Sequence, residues 1–356
     1  MRVLFVSAPL LGHVFPLVPL AQAVEAAGHE VMIATAGDAL QVAQSGLTTC
    51  DIAPGFTFGR IAAATMLRHP LIARQELAGA AGTRGVGLLF GAVNDRLIGA
   101  LHALLARWRP DIVVHEPLAV AGAVAAARAG VPAVLHENSL FDGPSLVKAT
   151  ARRPLPSAAA TISIAPPSVL PGRTGWPMRA VPYGGPTGAP DWLMKPAARP
   201  RIVVSRSTVP GPGSGLMRAV VAAAAELDAD VILVRPGRRL GQLPDNVQGV
   251  GWVSIPAVLP TCAGIVHHGG AGTALAALDA GVPQLIVTGA GDRRHNGKVV
   301  ADRGAGLAAD ERELSAALLT RLVTDQRLAS DAAAVSAEML AMPVPSELVP
   351  RLLALA

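Results

Sequence analysis

The chain is poor in cysteine and in aromatic side chains. Its 356 residues hold two cysteines, Cys50 and Cys262, and Phe, Trp and Tyr together make up 3%. Two cysteines so far apart, in no Cys-x-x-Cys pair, exclude a disulfide framework and a thiolate zinc site, and they fit a reducing cytoplasm. A net charge of +5 and a pI of about 10 invite nucleic acid as a partner. The few aromatics and the scattered arginines argue against it, and a small anionic substrate accounts for the charge equally well. The densest basic spots, Arg152-Arg153, Arg238-Arg239 and Arg293-Arg294, are isolated pairs. No run reaches the roughly 20 uninterrupted apolar residues of a membrane span. Met1-Arg2, the apolar stretch after it and Ala21-Gln22-Ala23 have the outline of a secretory leader, but Gly12-His13, Pro16 and Pro19 interrupt it. No Gly-x-Gly-x-x-Gly follows the first strand, so there is no dinucleotide fingerprint. No Asp-x-Asp stands at the carboxyl end of a strand in the second half, and no metal is expected.

What is present is an alternation of short apolar strands and helices. Hydrophobic residues reach 51%, and the 37 glycines and 30 prolines are spread as punctuation. Strands are predicted at Arg2–Ser7, Glu30–Thr35, Leu47–Ala53, Asp111–His115 and Pro132–His136. Helices are predicted at Pro16–Ala27, Val86–Trp108 and Ala119–Ala129. Phe56–Gly82 shows no clear period, and Ser139–Pro171 is weakly patterned. Thr161–Ala165 and Arg179–Tyr183 are further strand candidates. After a proline-rich stretch the alternation restarts. Strands Arg201–Ser205, Asp230–Val234, Gln248–Trp252, Gly264–His268 and Gln284–Thr288 are expected, with helices Gly215–Leu227, Ala274–Ala280 and Glu311–Thr324. Continuous apolar strands between helices imply parallel sheets covered on both faces. The expected fold class is α/β, with two Rossmann-like domains facing across a cleft. The divisions are 1–185 for the first domain, 186–200 for a linker and 201–340 for the second domain. Residues 341–356 are read as a helical segment returning to the first domain.

The most informative segment is Ile265-Val266-His267-His268-Gly269-Gly270-Ala271-Gly272-Thr273. A buried strand feeds a glycine-rich turn and then a helix, which is an anion site: free N–H groups and the positive end of the helix point at the ligand. An ordinary capped strand-to-helix turn is the alternative. After the first strand, His13 stands at the carboxyl end, where an imidazole suits general-base work, although a histidine there can also simply cap a helix. Glu116, after strand Asp111–His115, is the candidate to orient it. His115 is the alternative.

These residues make the chain resemble family 1 glycosyltransferases of the two-Rossmann B type, most closely the actinomycete enzymes that attach deoxysugars to polyketides and enediynes. The resemblance runs through Gly12-His13-Val14-Phe15-Pro16, from Arg109-Pro110-Asp111 to Gly130-Val131-Pro132, and from Gly251-Trp252 to Gly281-Val282-Pro283. It implies that His13 deprotonates the acceptor hydroxyl and that Glu116 holds it. It implies that Trp252 and Val253 lie by the nucleotide base. It also implies that His268, Gly270, Ala271, Gly272 and Thr273 bind the diphosphate, which Ser207 and Thr208 approach. Asp292 and Arg293 match the sugar-contacting pair, with Arg293 where the family usually has Gln. Ala276 stands where members using uridine donors carry a ribose-binding Glu, which favours a thymidine diphosphate (TDP) donor.

The resemblance thus implies an inverting, metal-independent transferase in antibiotic biosynthesis, working in the cytoplasm without a cofactor. Its partners would be a TDP-deoxysugar and a hydrophobic aglycone, with no nucleic acid and no membrane; a homodimer is compatible. Two other readings share parts of the pattern. A nucleotide-sugar 2-epimerase has the same architecture but needs more carboxylates than His13, Glu116 and Asp292 supply. A non-catalytic nucleotide-sugar-binding auxiliary protein would keep the His268 turn and dispense with His13.

Overall fold

The alternation of strand and helix is realised twice. The computed structural model describes residues 1–77, 82–185, 188–208, 214–237, 240–289 and 291–356. Pro186-Thr187 of the expected linker and the Arg238-Arg239 pair lie outside the described residues. The chain divides into one unit of Met1–Ala165, Gly172–Val181 and Met342–Ala356, and a second of Pro166–Pro171 and Pro182–Ala341.

The first unit holds strands β1 (Arg2–Val6), β2 (Glu30–Thr35), β3 (Thr49–Asp51), β4 (Ile112–His115), β5 (Ala133–His136), β6 (Ala160–Ser163) and β7 (Trp176–Pro177). Its helices are α1 (Leu11–Val14), α2 (Val18–Ala26), α3 (Phe58–Arg68), α4 (Pro70–Leu77), α5 (Thr83–Trp108), α6 (Val120–Ala129) and α7 (Gly143–Thr150). All pairings are parallel, in the order β3-β2-β1-β4-β5-β6-β7. The order reverses at β1, so the crevice of this sheet lies at the carboxyl ends of β1 and β4. Val3 to Val6 are fully buried. By length and composition α5 could cross a membrane, but its stripe Phe90, Val93, Leu97, Leu101 and Leu104 packs with Leu4, Val6 and Val113 in the core.

The second unit holds β8 (Arg201–Ser205), β9 (Asp230–Val234), β10 (Val247–Val250), β11 (Gly264–His267), β12 (Gln284–Val287) and β13 (Gly306–Ala309). Its helices are α8 (Ser214–Ala224), α9 (Ile255–Val258), α10 (Ala271–Asp279), α11 (Arg293–Asp302), α12 (Ala316–Thr324) and α13 (Gln326–Leu340). The parallel order is β10-β9-β8-β11-β12-β13, and it reverses between β8 and β11. Strand alternation divides the core. Ile202 and Val204 pack with Leu216 and Val220 of α8, while Val203 packs with Val258, Ala276 and Ala277 on the other face. The last helix, α14 (Pro345–Leu353), lies in the first unit and packs on α2.

Several elements differ from expectation. The unpatterned stretch after Phe56 contains α3 and α4, and α3 buries no residue fully, so it has no core stripe to show. The helix expected from Pro16 starts earlier, as α1, and passes through a 3-10 turn at Phe15–Leu17 into α2. The strand expected at Arg179–Tyr183 is absent. Pairing stops after Met178, which donates to Ser163, because the Arg179 N–H donates instead to the Pro343 carbonyl. The helix expected from Glu311 is split: Asp310 and Glu313 form a capping box on a 3-10 turn, and Ser315 then caps α12.

Candidate active site

The crevice of the first unit brings together the residues expected there. Glu116 follows β4 directly and is fully buried. Its Oε1 accepts from the Ala8 N–H at 3.0 Å and its Oε2 from the Leu118 N–H at 2.8 Å. His13, on α1 just beyond β1, places Nδ1 3.3 Å from Glu116 Oε2, with its side chain 22% exposed. Burial pushes the Glu116 carboxyl up, but the His13 charge and hydrogen bond and the Leu118 and Ala8 N–H groups together hold it below the usual carboxylate range. An ionised, buried carboxylate on Nδ1 favours the tautomer with hydrogen there, which leaves Nε2 to accept a proton.

Sequence reasoning missed two neighbours. Asn138 donates from Nδ2 to Glu116 Oε2 at 3.1 Å and lies 3.3 Å from His13 Nδ1. It follows the carboxyl end of β5, next to β4, so the argument that found Glu116 applies to it. Phe90 of α5 sets its ring 5.4 Å from the His13 ring, and Phe58 lies 5.9 Å beyond Phe90. No spacing in the sequence ties a mid-helix phenylalanine to a strand-end histidine. The alternative orienter, His115, is buried, and its Nδ1 bonds the Glu116 carbonyl at 3.1 Å rather than His13.

The second unit builds its crevice from the glycine-rich turn. His267 ends β11 facing inward, and its Nδ1 accepts from the Gly269 N–H at 3.2 Å. Its Nε2 therefore carries the hydrogen and donates to Gln284 Oε1 at 2.9 Å. Gln284 Nε2 in turn donates to the Ala274 carbonyl at 3.3 Å, so this buried chain ties the turn to α10. Gly269 has φ 85°, and a Cβ there would meet Ile286 and Arg293 at 2.9 and 3.0 Å. A Cβ on Gly270 would lie 2.6 Å from His268 Nε2, so the imidazole lies against Gly270. Burial lowers the His268 imidazole to about 3, helped by His267, Arg293 and Arg235 and opposed by the Ser205 carbonyl. These surroundings favour the neutral imidazole over the cation.

Gly270 caps α10, and its carbonyl takes the N–H groups of Thr273 and Ala274. Ala271 and Gly272 are first-turn residues, whose N–H groups have no intrahelical acceptor. Asp292 caps α11 and accepts from Asn296 Nδ2 at 2.9 Å, which also donates to the Gly269 carbonyl at 2.8 Å. Asn296, absent from the expected site, thus joins α11 to the turn. Arg293 is partly buried, with the carbons of its side chain against Gly269 and Gly289.

Ser207 and Thr208 follow β8, beside β11, and the Ser207 carbonyl accepts from Arg235. Trp252 lies after β10 under the Arg235 guanidinium, 4.7 Å from ring centroid to Cζ. The Val253 side chain is 4% exposed and packs in the apolar cluster, which leaves its main chain to meet a base. One expectation needs correction. Ala276 is 3% exposed in the same cluster with Val258 and Ile265, so its methyl faces the core and not a ribose. Among the described residues no group of three or more potential metal ligands occurs. Asp228 and Asp230, at the amino end of β9, are both paired with Arg199.

Residues 22–207 match the family model described as erythromycin biosynthesis protein CIII-like, N-terminal domain, and residues 218–355 match its C-terminal domain. The chain is 36% identical to the elloramycin glycosyltransferase of Streptomyces olivaceus, over 99% of its own length and 97% of that protein. It is similar to the crystal structure of the glycosyltransferase SnogD from Streptomyces nogalater, with TM-score 0.83, 34% identity, and coverage of 100% of this chain and 99% of that one. The glycosyltransferase SsfS6 of Streptomyces sp. SF2575, crystallised with thymidine diphosphate, gives TM-score 0.84 at 27% identity with both chains fully covered.

Proposed function

The chain belongs to the erythromycin biosynthesis protein CIII-like family of glycosyltransferases, with the GT-B fold, and on that premise we propose that it transfers a deoxysugar from a TDP donor to a hydrophobic natural-product aglycone with inversion. The observation that carries the proposal is the His13–Glu116 pair: a buried ionised carboxylate set on one nitrogen of a partly exposed imidazole at the switch point of the first sheet.

His13 Nε2 takes the proton of the acceptor hydroxyl as its oxygen bonds to the anomeric carbon. The bond from that carbon to the diphosphate oxygen breaks on the opposite face, and TDP leaves with the electron pair. Glu116 stabilises the imidazolium and Asn138 steadies the carboxylate. In the second unit, the His268 N–H, the first N–H groups of α10 and the Thr273 hydroxyl receive the charge that grows on the leaving group. No metal is needed for that task. Trp252 carries the base, Ser207 and Thr208 flank the phosphates, and Asp292 and Arg293 meet the sugar.

The donor nucleotide rests on the likeness to SsfS6 with its bound thymidine diphosphate, since Ala276 no longer supports it. For the acceptor, Phe58 and Phe90 make an apolar approach to His13, suited to a polyketide or enediyne-type aglycone. The cytoplasm is the matching compartment. The test is transfer from TDP- and uridine diphosphate-deoxysugars to a panel of polycyclic aglycones, with the product's anomeric configuration read by NMR. A β-glycoside from an α-linked TDP donor is expected. A product that keeps the donor's configuration, or a preference for the uridine donor, would overturn the corresponding part.

A further inference from the structure

Arg235 has no part in the steps above. It follows β9, and its main-chain N–H donates to the Val250 carbonyl at 2.9 Å, extending the ladder to β10. The backbone then enters the left-handed region, with φ 55°. Glycine adopts that conformation without strain, whereas a residue with a Cβ is strained there and persists where the surrounding structure holds it. Here the guanidinium lies over Trp252, and Nη2 donates to the carbonyls of Arg206 and Ser207 at 3.2 and 3.4 Å. One planar group therefore joins the indole after β10 to the loop after β8.

Its charge is not answered by an acid. Burial and then the neighbouring Arg206 charge disfavour the charged form, and no carboxylate contributes among the described residues. Arg235 in turn acts on His268. Arg206, Arg235 and His268 follow the adjoining strands β8, β9 and β11 at their carboxyl ends, a cluster of donors suited to an anion.

We propose that Arg235 is a positioning residue of the nucleotide site, clamping the Trp252 indole and the Arg206-Ser207 loop in one arrangement while presenting its charge to the diphosphate at the His268 turn. The proposal rests on the diphosphate reading of that turn.

The test is calorimetry of thymidine, thymidine monophosphate and TDP with wild type, Arg235→Gln, Arg235→Lys and Arg235→Gly, with the melting temperature of each. Arg235→Gln should weaken TDP about ten- to hundredfold, as for loss of a hydrogen bond to a charged group. The monophosphate should lose less and thymidine least. Lys should restore part of the phosphate-dependent loss. Gly relieves the backbone strain, so its melting temperature should stay near that of wild type while TDP binding falls as in the Gln variant. If Gln fails to fold, Gly and Lys carry the comparison. Affinities for all three ligands that are unchanged, or that fall by one common factor alongside the melting temperature, would overturn the proposal. Wild type that does not bind TDP would overturn the diphosphate reading and this proposal together; wild type that binds it, with unchanged variants, would overturn this proposal alone.

Discussion

At the scale of single residues, chemistry follows from what surrounds each side chain. In the proposed mechanism Glu116 orients His13, and two main-chain N–H groups and Asn138 hold its carboxylate in place for that role. Glu116→Gln keeps the shape and removes the charge. Turnover should fall about 10- to 100-fold, the usual cost of losing an orienting partner, while TDP affinity stays within about twofold. Steady-state kinetics beside calorimetry would show it, and unchanged turnover would mean that His13 does not depend on Glu116. Residues such as His13, Glu116 and His268 were legible because a polar group just past an apolar strand has few places to go. Arg235 and Asn138 obey the same rule, but the sequence does not reveal which strand neighbours which. Ala276 misled in the opposite sense: counting three residues on from Thr273 fixes its place along α10 but not which face of that helix is buried.

At the scale of elements, legibility tracks burial. Strands β1, β4, β8 and β11 are buried throughout or nearly so and stand out as apolar runs. Helix α3 has no fully buried residue and α11 opens Arg-Arg-His-Asn, so neither carries a visible stripe. Position 276 gives an element-scale prediction. Ala276→Glu puts an unpaired carboxylate into the cluster of Val258 and Ile265, so it should cost about 3 kcal/mol or more and lower the melting temperature without improving uridine diphosphate binding. A variant of normal stability with a restored uridine preference would put position 276 at the ribose after all. Two strand-end histidines add a pH dependence. Burial lowers His136 and His267 to about 4, against an ordinary 6.5. Below pH 6.5 the unfolded chain takes up protons that the folded one refuses, so stability is full above 6.5 and declines toward pH 4. Each residue costs up to about 1.4 kcal/mol per pH unit. A melting temperature that is flat from pH 7 to pH 5 would contradict the neutral, buried assignment.

At the scale of the whole molecule, the same device appears twice. Each sheet reverses its strand order once, and each reversal gathers the polar residues that the apolar strands exclude. In the proposed mechanism the first unit supplies the base and the second the anion turn, so the two roles should be separable by mutation. With the leaving group held by N–H donors, activity should survive EDTA undiminished; loss in EDTA restored by magnesium would show that a cation does part of that work. The most direct test measures TDP affinity and turnover side by side in His13→Ala and His268→Ala. His13→Ala should bind TDP as wild type does and lose about 10²–10⁴ in turnover, while His268→Ala should lose about ten- to hundredfold in TDP affinity. Turnover within threefold of wild type in the first variant, or unchanged TDP affinity in the second, would contradict the account.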